Sequence, residues 1–292
     1  MKKRTLLAVA GGLLCITALT ACSSSAGTAT PSASKDIATA ASKLVPSSIA
    51  TSGTISVAMD ATYAPFETIS ESSNKIVGID ADLSNAIGKE LGLKVKLVNI
   101  GFDTIIASLQ AGKYDAAASA ISITPARESV VDFVSYLSAG SGLAVAKGNP
   151  HHLSMNPLEL CGQSIGAPRG TIQAISQLPA ISQKCKAAGK KPVTISQFPS
   201  QTATNLAVSS GRIAAAMAAS ISLAQQVKGS NGELALAPGK DYDPTPIGIA
   251  FPKGSKLVPA VKAAVAELAK SGRLATIVTK WGLPASAIST NN

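Results

Sequence analysis

Aromatic side chains are scarce in this 292-residue chain, at 3% of the total, with a single tryptophan. Its core must therefore be built from aliphatic and small side chains, which the apolar fraction of 46% can supply. Charged residues are also few, at 14%, and no dense Lys/Arg run is interleaved with aromatics. The nearest such segment, "KCKAAGKK" (184–191), reads as a solvated helix end, which argues against a nucleic-acid partner. The two histidines, His151 and His152, are adjacent and read as loop residues, so no metal-ligating constellation is expected, and nothing calls for a cofactor. No glycine-rich phosphate-binding loop occurs. The apolar run Leu6–Ala18 is short for a membrane span.

What is present begins with an address. Lys2, Lys3 and Arg4 precede that apolar run, and the segment ends in "LTAC" (19–22), similar to the lipobox of bacterial lipoproteins. Residues 1–21 are thus expected to be a signal peptide and Cys22 the lipidated N-terminus, placing the protein on the extracytoplasmic face of the cell membrane. Losing three of the 26 basic residues and none of the 16 acidic ones lowers the formal charge from +10 to +7, an excess compatible with anionic lipid nearby. Cys15 lies within the signal. The remaining pair, Cys161 and Cys185, suggests a disulfide in an exported protein. Such a bridge contributes on the order of 3 kcal/mol through loop closure. The Ser-, Ala- and Thr-rich stretch 22–52 reads as a disordered tether.

From residue 54 strands and helices alternate. "TISVAM" (54–59) alternates as a strand, 80–92 has helical spacing and stops at Gly92, and "KVKLVNI" (94–100) is a strand again. A helix over 102–113 is expected, with Asp103 as cap and Gly112 as terminator, then a strand over 115–120. "GLAVAKG" (142–148) adds a strand, after which the alternation restarts. Strands are expected at 163–168, 192–198 and 212–218, and helices at 171–188, 201–210 and 220–227. The strand "IGIAFPKG" (247–254) mirrors "GLAVAKG", and helices over 257–271 and 273–281 close the chain. This α/β pattern predicts two lobes, each a central sheet flanked by helices. Lobe 1 takes 53–146 and 247–292, lobe 2 takes 147–246, and the two strands that cross between them form a hinge. Ligands of open α/β sheets bind beyond the carboxyl ends of the strands, here in an interlobe cleft.

Arg127 stands out in "SAISITPARESVVDF" (119–133). Thr124 can cap a helix and Pro125 suits its first position, so Arg127 falls in the first turn, where a cation is unfavourable for the helix. The residues alone leave two readings open: a guanidinium fork for a bound carboxylate, or an internal ion pair with Glu128 or Asp132. Ser119 and Ser122 read equally as local backbone caps or as hydroxyls completing a site. Tyr63 and Phe102 read as core or as ring contacts for a ligand. Asp60 reads as a turn cap or as an acceptor for a ligand donor.

"DATYAPFE" (60–67), "IVGIDADL" (76–83), "FDTIIASLQAGKYDAAASAISITPARESVVDF" (102–133) and "KWG" (280–282) together resemble the polar amino-acid receptors of bacterial ABC importers, solute-binding protein family 3. The resemblance runs through residues 54–283 in order. It implies the two-lobed periplasmic-binding-protein fold, with Arg127 on a ligand carboxylate and Ser119, Ser122 and the backbone of Ala120 around the polar head. Tyr63 and Phe102 then flank the ligand side chain, and Asp60 meets a donor on it. In lobe 2, "APRGTIQAI" (167–175) places Arg169, Gly170 and Thr171 where the second lobe closes.

One position departs from the family. An aspartate that accepts the ligand ammonium usually follows the strand matching "RIAAAMA", and here that position is Ala219. Three explanations stand open: Asp241 or Asp243 substitutes, the ligand lacks a free α-ammonium, or the ligand is anionic and uses both arginines. The function expected is a lipid-anchored, monomeric receptor that captures a polar amino acid or an analogue for an ABC permease, without catalysis. The alternatives are a cyclohexadienyl-dehydratase-like enzyme, which needs a positioned acid or base, and a sensing or scaffold lipoprotein.

Overall fold

The computed structural model describes residues Thr39–Thr290, which form one compact unit. The expected signal peptide and Cys22 lie outside the described residues. Part of the expected tether does not. Ser42–Leu44 form a 3-10 turn and Ser47–Ser52 a short helix, α1, closed by Gly53 in the left-handed conformation. Burial holds this segment in place: Ala41 joins the main core with Val45 and Ile49 against it, and the Thr39 hydroxyl donates to the carbonyl of Glu90. A Ser/Ala/Thr composition did not reveal these few apolar anchors.

The folded body follows as β1 (Thr54–Met59), β2 (Thr62–Tyr63), β3 (Glu67–Ile69), β4 (Ile76–Val77), α2 (Ile79–Leu91), β5 (Lys94–Asn99), α3 (Ile105–Gln110), β6 (Ala116–Ser122), α4 (Pro125–Glu128) and β7 (Val131–Ala146). The second half contains β8 (Ser164–Pro168), α5 (Leu178–Ala187), β9 (Thr194–Phe198), α6 (Gln201–Ser209), β10 (Ala215–Ala219), α7 (Ser220–Gly229), β11 (Leu234–Leu236) and β12 (Tyr242–Pro252). Helices α8 (Val258–Lys270) and α9 (Arg273–Lys280) follow. The helix expected over 102–113 starts as a 3-10 turn, Phe102–Thr104, and Asp103 caps nothing there. Its carboxylate instead faces Arg169 at 3.8 Å.

The strands run in the order β5-β1-β6-β12-β7-β10-β8-β9, with β11 beside β7 and a small separate sheet β2-β3-β4. The sheets expected for the two lobes are therefore one hydrogen-bonded path. What joins them is β7, sixteen residues long, antiparallel to β12 through its first part and to β10 through its last. The sequence reading found only the second part of this strand. Parallel pairing of β1 with β5 and β6, and of β8 with β9 and β10, puts the strand ends of each half toward the same region. Helices α2 and α8 bury their apolar faces with β1 and the middle of β12 in the main core, whereas α5 packs with β8 in a second one. Cys161 and Cys185 are disulfide-bonded, tying the 3-10 turn Pro157–Glu159 region to α5.

Candidate functional site

The floor of the site is made by the ends of β1 and β6. Ser119 is buried and links two elements: its hydroxyl accepts from the Asp60 amide at 3.0 Å and donates to Glu67 Oε1 at 2.9 Å. Ala120 adopts φ 45°, a region that a residue with a Cβ enters only at a cost of about 1–3 kcal/mol. Its amide is thereby aimed at Asp80 Oδ2, 2.7 Å away. Asp60 accepts from the Thr62 hydroxyl at 2.8 Å and from the Phe102 amide at 3.2 Å. It caps local groups and lines a cavity at the same time. Burial raises its carboxyl pKa, against the lowering pull of those two hydrogen bonds.

Beneath this floor lies a carboxyl pair whose role the sequence reading did not assign. Gly78 makes it possible: at φ 139° a Cβ there would stand 2.1 Å from the Phe66 carbonyl oxygen, so only glycine lets β3 approach the start of α2 this closely. Glu67 and Asp80 are both fully buried, and Tyr136 donates to Asp80 at 2.5 Å. Burial and then the Asp80 charge push the Glu67 carboxyl well above the usual range, and burial raises Asp80 to about 6. Glu67 is thus the protonated partner and Asp80 the acceptor that fixes Ala120 and Tyr136.

Arg127 sits on α4, where the Thr124 hydroxyl accepts from the Arg127 amide at 3.3 Å. Its side chain is 7% exposed and lies over the Phe102 ring, 5.7 Å from the centroid. Its guanidinium donates to the carbonyl oxygens of Ser122 at 2.7 Å and Gly170 at 2.9 Å. Among the described residues it makes no ion pair, and Asp132 instead pairs with Lys253 at 2.8 Å. Burial lowers its pKa to about 10, so it remains a cation at neutral pH without a counter-charge.

The opposite wall comes from the segment expected as lobe 2. Gly170, at φ 78°, approaches Asp103 so closely that a Cβ would lie 3.1 Å from its Cα. Thr171 follows, its hydroxyl donating to the Pro168 carbonyl at 2.8 Å and accepting from the Ala174 amide at 3.3 Å. The two walls touch elsewhere too. The Ala219 amide donates to the Tyr63 hydroxyl at 2.9 Å, and Ser222 and Gln226 both donate to the Ala64 carbonyl, at 2.7 and 3.3 Å.

Between these walls lies a cavity partly open to solvent. Asp60, Tyr63, Phe102, Ser119, Ala120, Ser122, Arg127, Thr171 and Ala219, all expected from sequence, line it. Gly170 stands at its edge through its carbonyl. Arg169 does not reach it: the turn at Gly170 directs its side chain outward, 54% exposed and toward Asp103, so it is no second cation for a ligand. Asp241 and Asp243 do not line it either, since Asp241 meets the Ser220 hydroxyl and Asp243 accepts from Gln177 at 3.4 Å. Sequence reasoning missed Thr62, Ala139, Gly140, Pro168, Ile172, Gln173, Gln201 and Ile247. Gln201 was reachable: it opens α6 just beyond the carboxyl end of β9, capped by Ser200, at the edge where such sheets bind ligands.

Residues 55–284 match the model of the bacterial extracellular solute-binding proteins, family 3. The chain belongs to this family. It is 30% identical over 240 residues to the arginine-binding protein ArgT of Corynebacterium glutamicum, covering 82% of this chain and 78% of that one. An ancestral arginine-binding protein, solved with arginine, superposes with a TM-score of 0.70 at 32% identity, covering 79% of this chain and 98% of the other. An ancestral amino acid-binding protein, described as a precursor of cyclohexadienyl dehydratase, gives 0.71 at 28% identity, covering 82% and 99%. The two-lobed α/β fold, the extracytoplasmic setting and the solute-binding role are those of the family.

Proposed function

We propose that this protein is the substrate-binding component of an ABC importer, holding a small polar amino acid or analogue between its lobes and presenting the closed form to a membrane permease. The observation that carries this reading is the buried, unpaired guanidinium of Arg127 on the cavity wall. A buried cation without a counter-charge is costly even when hydrogen-bonded to carbonyls, and a ligand carboxylate offsets that cost with a charge-assisted, bidentate contact. Residues 53–146 with 247–292 act as one lobe and 147–246 as the other, and β7 and β12 form the hinge. Asp60, Tyr63, Phe102, Ser119, Ala120, Ser122, Thr171 and the Gly170 carbonyl complete the site, and Cys22 tethers a monomer to the membrane. Replacing Cys22 with alanine then abolishes palmitate labelling of the protein in cells.

The protein binds without turnover. A dehydratase requires a positioned acid or base opposite the substrate carboxylate; the Ala219 wall carries none among the described residues, and Asp60, the one carboxyl among those lining the cavity, is assigned to a donor on the solute. Incubation with prephenate or arogenate leaves the ultraviolet spectrum unchanged; appearance of an aromatic product overturns this.

The central test is Arg127→Ala, read by calorimetry against a panel of amino acids, ω-amino acids and ω-guanidino acids. Loss of the cation weakens binding of every carboxylate ligand by at least about a hundredfold, as expected for a buried charge contact. Undiminished affinity refutes the receptor reading.

A further inference from the structure

The cavity's charge inventory is short. Among the described residues that line it, Arg127 is the one cation and Asp60 the one carboxylate. The acids nearby are engaged elsewhere: Asp103 faces Arg169, Asp241 meets Ser220, and Asp243 meets Gln177. On the wall where Ala219 stands, the backbone N–H is already given to Tyr63.

A neutral acceptor occupies this wall instead. Gln201 is 1% exposed and lines the cavity, and its Oε1 has no hydrogen-bond partner. Which end of this amide faces the cavity is fixed by a relay that begins at a backbone carbonyl. Ala64 O can only accept, so the Ser222 hydroxyl donates to it at 2.7 Å and takes the Gln226 Nε2 at 2.6 Å. Gln226 Oε1 then accepts from Asn205 Nδ2 at 2.5 Å, and Asn205 Oδ1 accepts from Gln201 Nε2 at 2.9 Å. Reversing any amide in this chain breaks its neighbours. The relay therefore leaves the Gln201 oxygen as an uncharged acceptor for the ligand.

Buried charges need counter-charges, and one not matched is expelled. Arg127 and Asp60 form no ion pair with each other, so each is available to an opposite charge on the solute. A second ammonium at the Ala219 wall meets no carboxylate among the described lining residues, but only neutral acceptors such as the Gln201 carbonyl. We infer that the cavity selects a singly cationic monocarboxylate, an ω-guanidino or ω-amino acid without a free α-ammonium, its carboxylate on Arg127 and its cationic end on Asp60. This assignment rests on the receptor reading above and narrows it.

The test compares two solutes that differ in one group: L-arginine and 5-guanidinopentanoate, which keeps the carboxylate and guanidinium but lacks the α-ammonium. Calorimetry on the purified protein is expected to give a dissociation constant about tenfold or more lower for 5-guanidinopentanoate, and the same order for 6-aminohexanoate against L-lysine. Ala219→Asp reverses the preference toward arginine. Gln201→Glu places the negative charge from a different element and shifts the preference the same way, so the test does not depend on one variant folding. Tighter binding of arginine by the wild-type protein, binding of neither guanidino compound, or no shift in either variant overturns the assignment. Failure of the receptor reading is distinguishable: there Arg127→Ala leaves affinity for every ligand unchanged, whereas arginine winning while Arg127 remains essential removes only the narrower inference.

Discussion

The wall built from residues 54–146 carries both full charges of the cavity, Asp60 and Arg127, and Asp60 is tied through Ser119 to a buried carboxyl pair. The wall built from residues 147–246 presents neutral groups only: Thr171, Gln173, Gln201 and Ala219. The charged wall is fixed by local bonds within its own half, through Ser119, Ala120 and Phe102. The neutral wall is held partly by what it touches opposite, through the Gly170 carbonyl on Arg127 and the Ala219 amide on Tyr63. On the proposed function, affinity resides on the first wall and is read out by closure of the second, whose neutral groups set which charged solutes are refused.

The largest expected effect breaks the charged wall: the hundredfold or greater loss in Arg127→Ala. Arg127→Lys sharpens the point. An ammonium keeps the charge but cannot donate to Ser122 O, Gly170 O and a carboxylate with one planar fork. Binding weakens by about tenfold, or about 1.4 kcal/mol, as read by calorimetry. A lysine variant as tight as wild type means that charge alone, and not the fork, holds the solute.

Breaking the neutral wall comes next. Gly170→Ala forces a left-handed residue and pushes a methyl to 3.1 Å from the Asp103 Cα, a strain of about 1–3 kcal/mol placed at the contact between walls. Affinity falls by about tenfold through the lost contact between walls, and the melting temperature without ligand falls as well, because the left-handed backbone strain remains when the walls separate. Equal affinity in the variant shows that this contact does not form with ligand bound.

Much of this division was legible in the sequence, and for a physical reason. The strand β1 and helix α2 followed from periodicity and from Gly92, and the short α4 from Thr124 and Pro125. Charged and aromatic residues are rare enough in this chain to be noticed, but Asp60, Tyr63, Phe102 and Arg127 each stood with two readings until the resemblance favoured the cavity that they line. Neutral residues on the opposite wall carry no such mark. Gln201 looks like any helix-opening residue, and its role depends on a relay through Asn205, Gln226 and Ser222 that only tertiary packing assembles. Arg169 failed in the opposite sense: its charge attracted notice, but the backbone at Gly170 decides where it points. Glu67 and Asp80 stood in the quoted motifs without a role, because their proximity is set by the approach at Gly78 across a small sheet.

The smallest effect concerns what supports the charged wall. Glu67 faces Asp80, Asp60, Ser119 and Tyr136. Its pKa and that of Asp80 are raised in the folded protein, so the folded state holds more protons than the unfolded chain above the ordinary carboxylate range. Stability therefore falls as pH rises, first through the window ending near 6 where Asp80 ionises, then at higher pH where Glu67 loses its proton. Glu67→Gln mimics the protonated acid: its amide oxygen still accepts from Ser119, and its NH2 replaces the second carboxyl oxygen, which is buried without a hydrogen-bond partner. Its melting temperature matches wild type at mildly acidic pH, where Glu67 is protonated anyway, and exceeds it by a few degrees in alkaline solution, as a difference on the order of 1 kcal/mol produces in a domain of this size. Calorimetric melting curves from pH 5 to 10 read this directly. Curves that stay parallel across the range show that Glu67 does not titrate there, and the charged wall then rests on hydrogen bonds alone.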